Sequence, residues 1–335
     1  MIPHLDIAVL EPSQVGEARR AVTRLATDHE LGETAVGRVA LIVTELGNNL
    51  WRHATKGRLL IGCRKSADGC QLEVISIDSG PGMDVARCLR DGYSSGGTPG
   101  TGLGAVRRLS TDFSVFSADG KGTVILSRTW VPSPAAAGAP SPRARFAHAG
   151  ICVAAPGEVV SGDGWDIRID DGKASVMVAD GLGHGPVAAE ASDEALKIFA
   201  ATSGSPSTIL ERAHPLMRGT RGAAVSIATV DANRGIVDYA GAGNISCRMI
   251  SGIEDRSLMS QHGTLGVQIR KLQDISYVWP EHSLIVLHSD GLVTRWNLKD
   301  VGGLLQCDPA VVAGWLLRDH TRGHDDVTVV VLKRD

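Results

Sequence analysis

The sequence predicts an α+β protein of two domains: a two-layer α/β sandwich built on one sheet, then two antiparallel sheets packed face to face and flanked by helices. Three observations carry this expectation. VPSPAAAGAPSPRA, Val131 to Ala144, sets four prolines among small residues and breaks any helical or strand period. It marks a linker at 131–143 between domains at 1–130 and 144–335. Before it, helical and strand patterns alternate around a few long strands. After it, short strands dominate and helical stretches come as a pair. With 335 residues, each half is long enough to bury its own core.

In the first half LDIAVL reads as a strand, and SQVGEARRAVTRLATDHEL as an amphipathic helix opened by Ser13 with Glu17 in its first turn. A second helix from about Thr34 to His53 carries Val36, Val39, Val43, Leu46 and Leu50 on one stripe. RLLIGCRK and CQLEVISID are strands. A short helix, a glycine-rich loop from Gly92 to Gly104, another helix and the strands DFSVFSA and GTVILSRTW follow. The second half offers strands at RFAHAGICVAA, GWDIRID, ASVMVAD, GAAVSIATVD, IVDYAGAG, SCRMI, SLIVLHSD and VTVVVLK. Helices are expected at Pro186–Thr202, Ser207–Met217 and Pro309–Asp319.

Composition excludes several classes. A formal charge of -3 and the lack of any Lys/Arg run give no footprint for nucleic acid or for an anionic membrane. The longest apolar runs are strand-sized, far short of the roughly 20 residues that span a bilayer. Six cysteines without a CxxC pair, and a start without a secretion-signal pattern, read as reduced thiols in a cytoplasmic protein.

Chemistry in the first half concentrates in TELGNNLWRHA. Glu45, Asn49 and His53 stack on one helix face, displaced from the apolar stripe. A solvated polar face would account for the triplet alone, but two asparagines and a glycine are poor helix formers and suggest a further role. IDSGPGM sets Asp78 at a strand end before Gly80 and Gly82, which by itself is an ordinary tight turn. GYSSGGTPGTGLGAVRRL then leads glycines into a helix, where backbone N–H groups can wrap phosphate. It is not a Walker loop, because Ala105 rather than Lys follows Gly104, nor a dinucleotide fingerprint, because no strand precedes it.

Glu-x3-Asn on a helix, Asp-x-Gly-x-Gly after a strand and Gly-x-Gly before a helix together resemble the ATP-binding fold of histidine kinases, gyrase-type ATPases and anti-sigma serine kinases. DGYSSGG and GLGAVRRLSTDF are similar in order and spacing to the stressosome-type serine kinases. The resemblance implies that Asn49 holds Mg2+, that Glu45 polarises an attacking serine hydroxyl and that Asp78 accepts from the adenine amino group. It further implies that Gly80 and Gly82 admit the base, that Gly100 and Gly102 receive phosphate, and that Thr123 lies near the adenine. Gly104 stands where the resembled kinases carry proline.

In the second half the acids stand out: Asp163 in SGDGWD, Asp180 in VADGLGHG, Asp290 in LHSDGLV, and Asp325 with Asp326 in GHDDVTVVV. One Asp-Gly pair is a hairpin signal. Four acidic sites beside strands fit turns less well than they fit a hard cation held by oxygen ligands. The pattern resembles the type 2C metal-dependent serine/threonine phosphatases of the sporulation and stress branch, an α-β-β-α sandwich that uses two Mn2+ or Mg2+ and a water nucleophile without a phosphoenzyme. Carried over, Asp163 and Asp180 form the catalytic metal centre with the Gly181 carbonyl, Asp290 and one of Asp325 and Asp326. His184 could serve as a general acid beside a metal-bound water but reads rather as structural or as a partner of a ligand, and His288 and His324 read as packing or surface residues rather than as ligands.

One chain bearing both activities implies a switch. The leading expectation is phosphorylation and dephosphorylation of a STAS-domain protein, with a sigma factor or other output protein as a further partner. Its rival treats the first domain as an ATP-sensing or partner-binding module without transfer activity.

Overall fold

The computed structural model describes residues 3–66, 68–89, 102–133, 146–170 and 172–334. Contacts divide the chain into two compact units, residues 2–142 with 306–318, and residues 143–305 with 319–335. Each is described by itself.

The first unit opens with β1 (Leu5–Ala8), α1 (Pro12–Asp28), α2 (Glu33–His53), β2 (Arg58–Ser66) and β3 (Gly69–Asp78). α3 (Val85–Cys88), α4 (Gly102–Leu109), β4 (Asp112–Ala118) and β5 (Gly122–Pro132) follow. α1 begins one residue earlier than Ser13 predicts: Pro12 supplies the first turn, and the Gln14 amide oxygen accepts from the Glu11 N–H at 3.0 Å. The strands form one antiparallel sheet in the order β1-β2-β3-β5-β4. α1 and α2 bury Val15, Val22, Val39, Ile42, Val43 and Leu46 against Leu59, Ile61, Leu72 and Val74. The two layers expected from residues 1–130, one sheet with α1 and α2 on one face, are present. A Cβ on Gly47 would lie 3.1 Å from Val15 Cγ1, so this mid-helix glycine serves the close packing of α1 on α2. The strand period of β5 continues through Val131 and Pro132, which pair with Cys70 and Gly69, two residues into the segment expected as linker.

The second unit contains β6 (Phe146–Val153), β7 (Asp163–Asp170), β8 (Lys173–Gly181), α5 (Pro186–Ala201), α6 (Pro206–Leu216), β9 (Ala223–Asp231), β10 (Ile236–Ala242) and β11 (Ser246–Ile250). β12 (Asp255–Leu258), β13 (Gly263–Thr264), β14 (Gln268–Ile269), β15 (Ile275–Val278), β16 (Leu284–His288) and, after a helix α7 (Pro309–His320), β17 (Val327–Arg334) complete it. Two five-stranded sheets result, β15-β10-β9-β8-β7 and β12-β11-β16-β17-β6. Trp165, Val178, Tyr239, Trp279, Leu287 and Val330 belong to a core drawn from both sheets. α5 and α6 bury Phe199 and Leu210 with Met177 and Val225 of the first. Strands β12 to β15 are not expected from sequence, because their short segments are largely exposed and carry no apolar alternation.

α7 departs from its expected place. Its residues through Arg318 group with the first unit, although the flanking sequence belongs to the second. A Cβ on Gly314 would meet Val124, Ile75 and Ile77 at 3.2–3.5 Å, so the helix covers the sheet face opposite α1 and α2. Trp315 meets Phe116 edge-on at 5.0 Å. Arg128, buried in β5, pairs with Glu73 at 2.6 Å and forks onto both carboxylate oxygens of Asp308 at 2.7 and 3.0 Å. Among the described residues no helix is long and apolar enough to cross a membrane.

Candidate functional sites

In the first unit the helical period of α2 sets Glu45 and Asn49 one turn apart, both half-buried. A Cβ on Gly102, the first residue of α4, would lie 3.0 Å from Glu45 Oε2 and 3.9 Å from Asn49 Oδ1. The motif helix and the glycine-led helix therefore meet as expected. Gly100 lies outside the described residues, and His53 is exposed at the end of the same helix.

Asp78 ends β3, is 9% exposed, and accepts from the Gly80 N–H at 2.7 Å. Burial pushes its carboxyl up, while the Gly80 N–H and the Arg318 guanidinium oppose that rise. Thr123 stands directly across from it on β5, its hydroxyl 2.9 Å from Ser117 Oγ. Gly82, at φ +80°, would put a Cβ 2.4 Å from the Ala118 carbonyl oxygen; Gly122, at φ +86°, would put one 2.1 Å from that of Asp78. Only glycine fits either place. Arg318 of α7, a residue the sequence does not point to, donates to the Asp78 carbonyl at 2.8 Å.

In the second unit Asp163 and Asp180 face each other across β7 and β8. Asp180 is pushed up to about 9, first by burial and then by Asp163, Asp290, Asp325 and Asp326. Asp163, 6% exposed, is pushed up to about 7 by burial against the pull of the Ser289 hydroxyl, with Asp326 and Asp290 adding to the rise. The acids thus lie near enough to raise one another. A Cβ on Gly181 would sit 2.0 Å from the Ala188 carbonyl oxygen, and one on Gly291 would sit 2.0 Å from that of Asp326. Bare backbone is needed after both Asp180 and Asp290. An oxygen-only donor set of buried and half-buried, mutually repelling carboxylates fits hard divalent cations.

The two adjacent acids divide. Asp326 is 3% exposed and takes the Ala155 N–H at 2.7 Å on one oxygen and the Gly162 N–H at 2.9 Å on the other. Asp325 is half-buried and accepts the Asp326 N–H at 2.9 Å. Sequence reading missed the residues that hold the acids in place. Ser289 donates to Asp163 Oδ2 at 2.6 Å and accepts from the Thr328 N–H, and Asn244 donates to Asp290 Oδ2 at 2.8 Å. Ser289 directly precedes Asp290, which is the one local signal. His184 pairs with Glu158 at 2.9 Å on the surface. His288 is fully buried, held down to about 4 by that burial, and lies between the Ser289 carbonyl and the Trp296 indole N–H. His184 is thus a surface residue and His288 a packing one.

Residues 8–128 match the family model of the histidine kinase-like ATPase domain, and residues 170–335 that of stage II sporulation protein E. The serine/threonine-protein kinase RsbT of Bacillus subtilis is 31% identical over 128 residues, 37% of this chain and 95% of that protein. Phosphoserine phosphatase RsbX of the same organism is 27% identical over 180 residues, 52% of this chain and 88% of that one. A solved structure from the bacterial stressosome, described as a modular system adapted to control secondary messenger signaling, is similar with a TM-score of 0.53 and 26% identity. That similarity covers 56% of this chain and 99% of the other. The chain therefore belongs, through residues 8–128, to the histidine kinase-like ATPase family, and carries in the same polypeptide a phosphatase-like domain of the stage II sporulation protein E type.

Proposed function

We propose that this chain is a bifunctional regulator: the N-terminal domain transfers phosphate from ATP to serine or threonine on a STAS-type partner, and the C-terminal domain removes it by metal-dependent hydrolysis. A kinase-like and a phosphatase-like domain in one chain fit a partner-switching regulator. The observation that carries the reading is the convergence of buried acids that drives Asp180 up to about 9.

Asp163, Asp180, Asp290, Asp325 and the Gly181 carbonyl are the residues that would hold two Mn2+ or Mg2+. Asp326, with both oxygens engaged by backbone N–H groups, ties the loop before β7 to the start of β17 and so fixes the position of Asp325. Ser289 and Asn244 each occupy one oxygen of a ligand carboxylate and set its direction. The ions would supply a water nucleophile at neutral pH and neutralise charge on the phosphoryl oxygens.

In the kinase half, Asn49 would hold Mg2+, Glu45 would take the proton of the incoming hydroxyl, and Asp78 would accept from the adenine amino group. Gly80 and Gly82 keep side chains away from the base, Gly102 opens the helix that faces the phosphates, and Thr123 lines the strand beside Asp78. The test uses the full chain with Asp180→Asn, so that transferred label is not removed again. Incubation with labelled ATP, Mg2+ and candidate STAS proteins is expected to label one of them, and Glu45→Ala is expected to abolish labelling. ATP binding without transfer to any candidate would reduce the first domain to a nucleotide sensor.

A further inference from the structure

Away from both sites, three soft or borderline ligands meet at the far end of the first sheet. Cys63 on β2 pairs with Leu72, and Cys70 on β3 pairs with Lys65, so the two thiols are diagonal neighbours on one face, with Sγ atoms 2.7 Å apart. His29 closes α1, its N–H bonded to the Leu25 carbonyl at 3.2 Å. One ligand atom from each of His29, Cys63 and Cys70 lies within 4.8 Å of the other two. Cys63 itself packs against the apolar core, as do Leu25 and Leu31 on either side of His29 in the chain. Cys70 stands eight residues before Asp78 on β3, about 27 Å away by strand rise, so this is not the nucleotide site.

We propose that His29, Cys63 and Cys70 form a Cys2His site for a thiophilic divalent cation, with Zn2+ as its ligand and a fourth position left to solvent. The donor set selects against Mg2+, which takes oxygen ligands, and for zinc, which takes thiolate and imidazole. The C-terminus of α1, whose partial charge is negative, lies at the site and favours a cation there. Zn–S bonds of about 2.3 Å set two sulfurs roughly 3.8 Å apart in a tetrahedron, so the pair opens by about 1 Å on binding. Binding is acid-releasing: the ion takes thiolates and a neutral imidazole, and the thiol protons leave to solvent. The bound ion would fasten the end of α1 to the β2–β3 hairpin.

Co2+ is the probe, because thiolate-to-cobalt charge transfer reports sulfur ligation and is silent for the acidic site. The reduced full-length chain, kept in excess Mg2+, is titrated with Co2+ and then with Zn2+. Expected is a near-ultraviolet band that saturates at one ion per chain, is displaced by Zn2+, and is lost in Cys63→Ser and in Cys70→Ser. Cys88→Ser leaves it unchanged. His29→Ala, at a helix end where folding is not at stake, weakens Co2+ at least about tenfold, the loss that even an outer ligand partner brings. No band in the wild type, a band that survives both cysteine substitutions together, or full affinity in His29→Ala overturns the site. So does a Cys63–Cys70 disulfide that forms in air from protein that binds no Co2+, since the pair would then be a redox couple.

Discussion

Two groups of buried acids in this molecule meet opposite fates. Glu73 is pushed up by burial, yet Arg128 and His4 outweigh burial and hold it down to about 2. Asp180 is also largely withdrawn from water, but its neighbours are further acids, and it rises to about 9. The first group carries its own counter-charge, with Arg128 shared between Glu73 and Asp308. The second gathers carboxylates that raise one another, and its counter-charge would come from the divalent ions proposed for it. The carboxylates that serve the fold come with a cation, and those of the proposed metal site would have to acquire theirs.

The contrast is open to direct attack. The largest effect is expected from Arg128→Met, which strands Glu73 and Asp308 and should cost about 3–5 kcal/mol in urea unfolding of the full chain. Adding Glu73→Gln to it should recover part of that loss. Next comes acid. Because the folded Glu73 carboxyl sits near 2, below its usual 4.5, its stabilisation is present above pH 4.5 and is lost as pH falls toward 2. The loss is about 3 kcal/mol by linkage, and Glu73→Gln should remove this acid-sensitive step from the pH profile of stability.

On the other side, Asp180→Asn should lower Mn2+-dependent phosphate release from a phosphoserine protein at least about 100-fold, more than loss of an outer partner does. The same substitution should raise the melting temperature in chelator, because a carboxyl pushed up to about 9 must take up a proton to be folded at neutral pH and an amide need not; a fall would break the contrast drawn above. The smallest effect belongs to Asn244→Ala, which frees one oxygen of Asp290 and should weaken Mn2+ by about tenfold, measured by titration calorimetry.

The sequence displays these acids because each stands at one end of a strand, beside glycine or a second acid. It displays Glu45 and Asn49 because four residues make one helical turn. It cannot separate Asp325 from Asp326, since the difference lies in N–H groups of Ala155 and Gly162, more than 160 residues away. Gly47 shows how a true local anomaly can be misassigned: its neighbour is Val15, and its role is packing. PAVVAGWLL of α7 is apolar on every side, so no stripe says which sheet it covers. The Arg128–Asp308 fork, 180 residues apart in the chain, is equally invisible to local pattern.

The placement of α7 also bears on how the protein is made. The N-terminal sheet leaves the ribosome with Ile75, Ile77 and Val124 bare and Arg128 lacking one of its two acids, and both wait for a segment that is 180 residues further on. At about 5–20 residues per second, that wait lasts roughly 10–40 s. The N-terminal half, translated before the C-terminal one, is thus finished after it, and a polypeptide ending at the proline-rich seam would lack the helix that covers one face of its sheet.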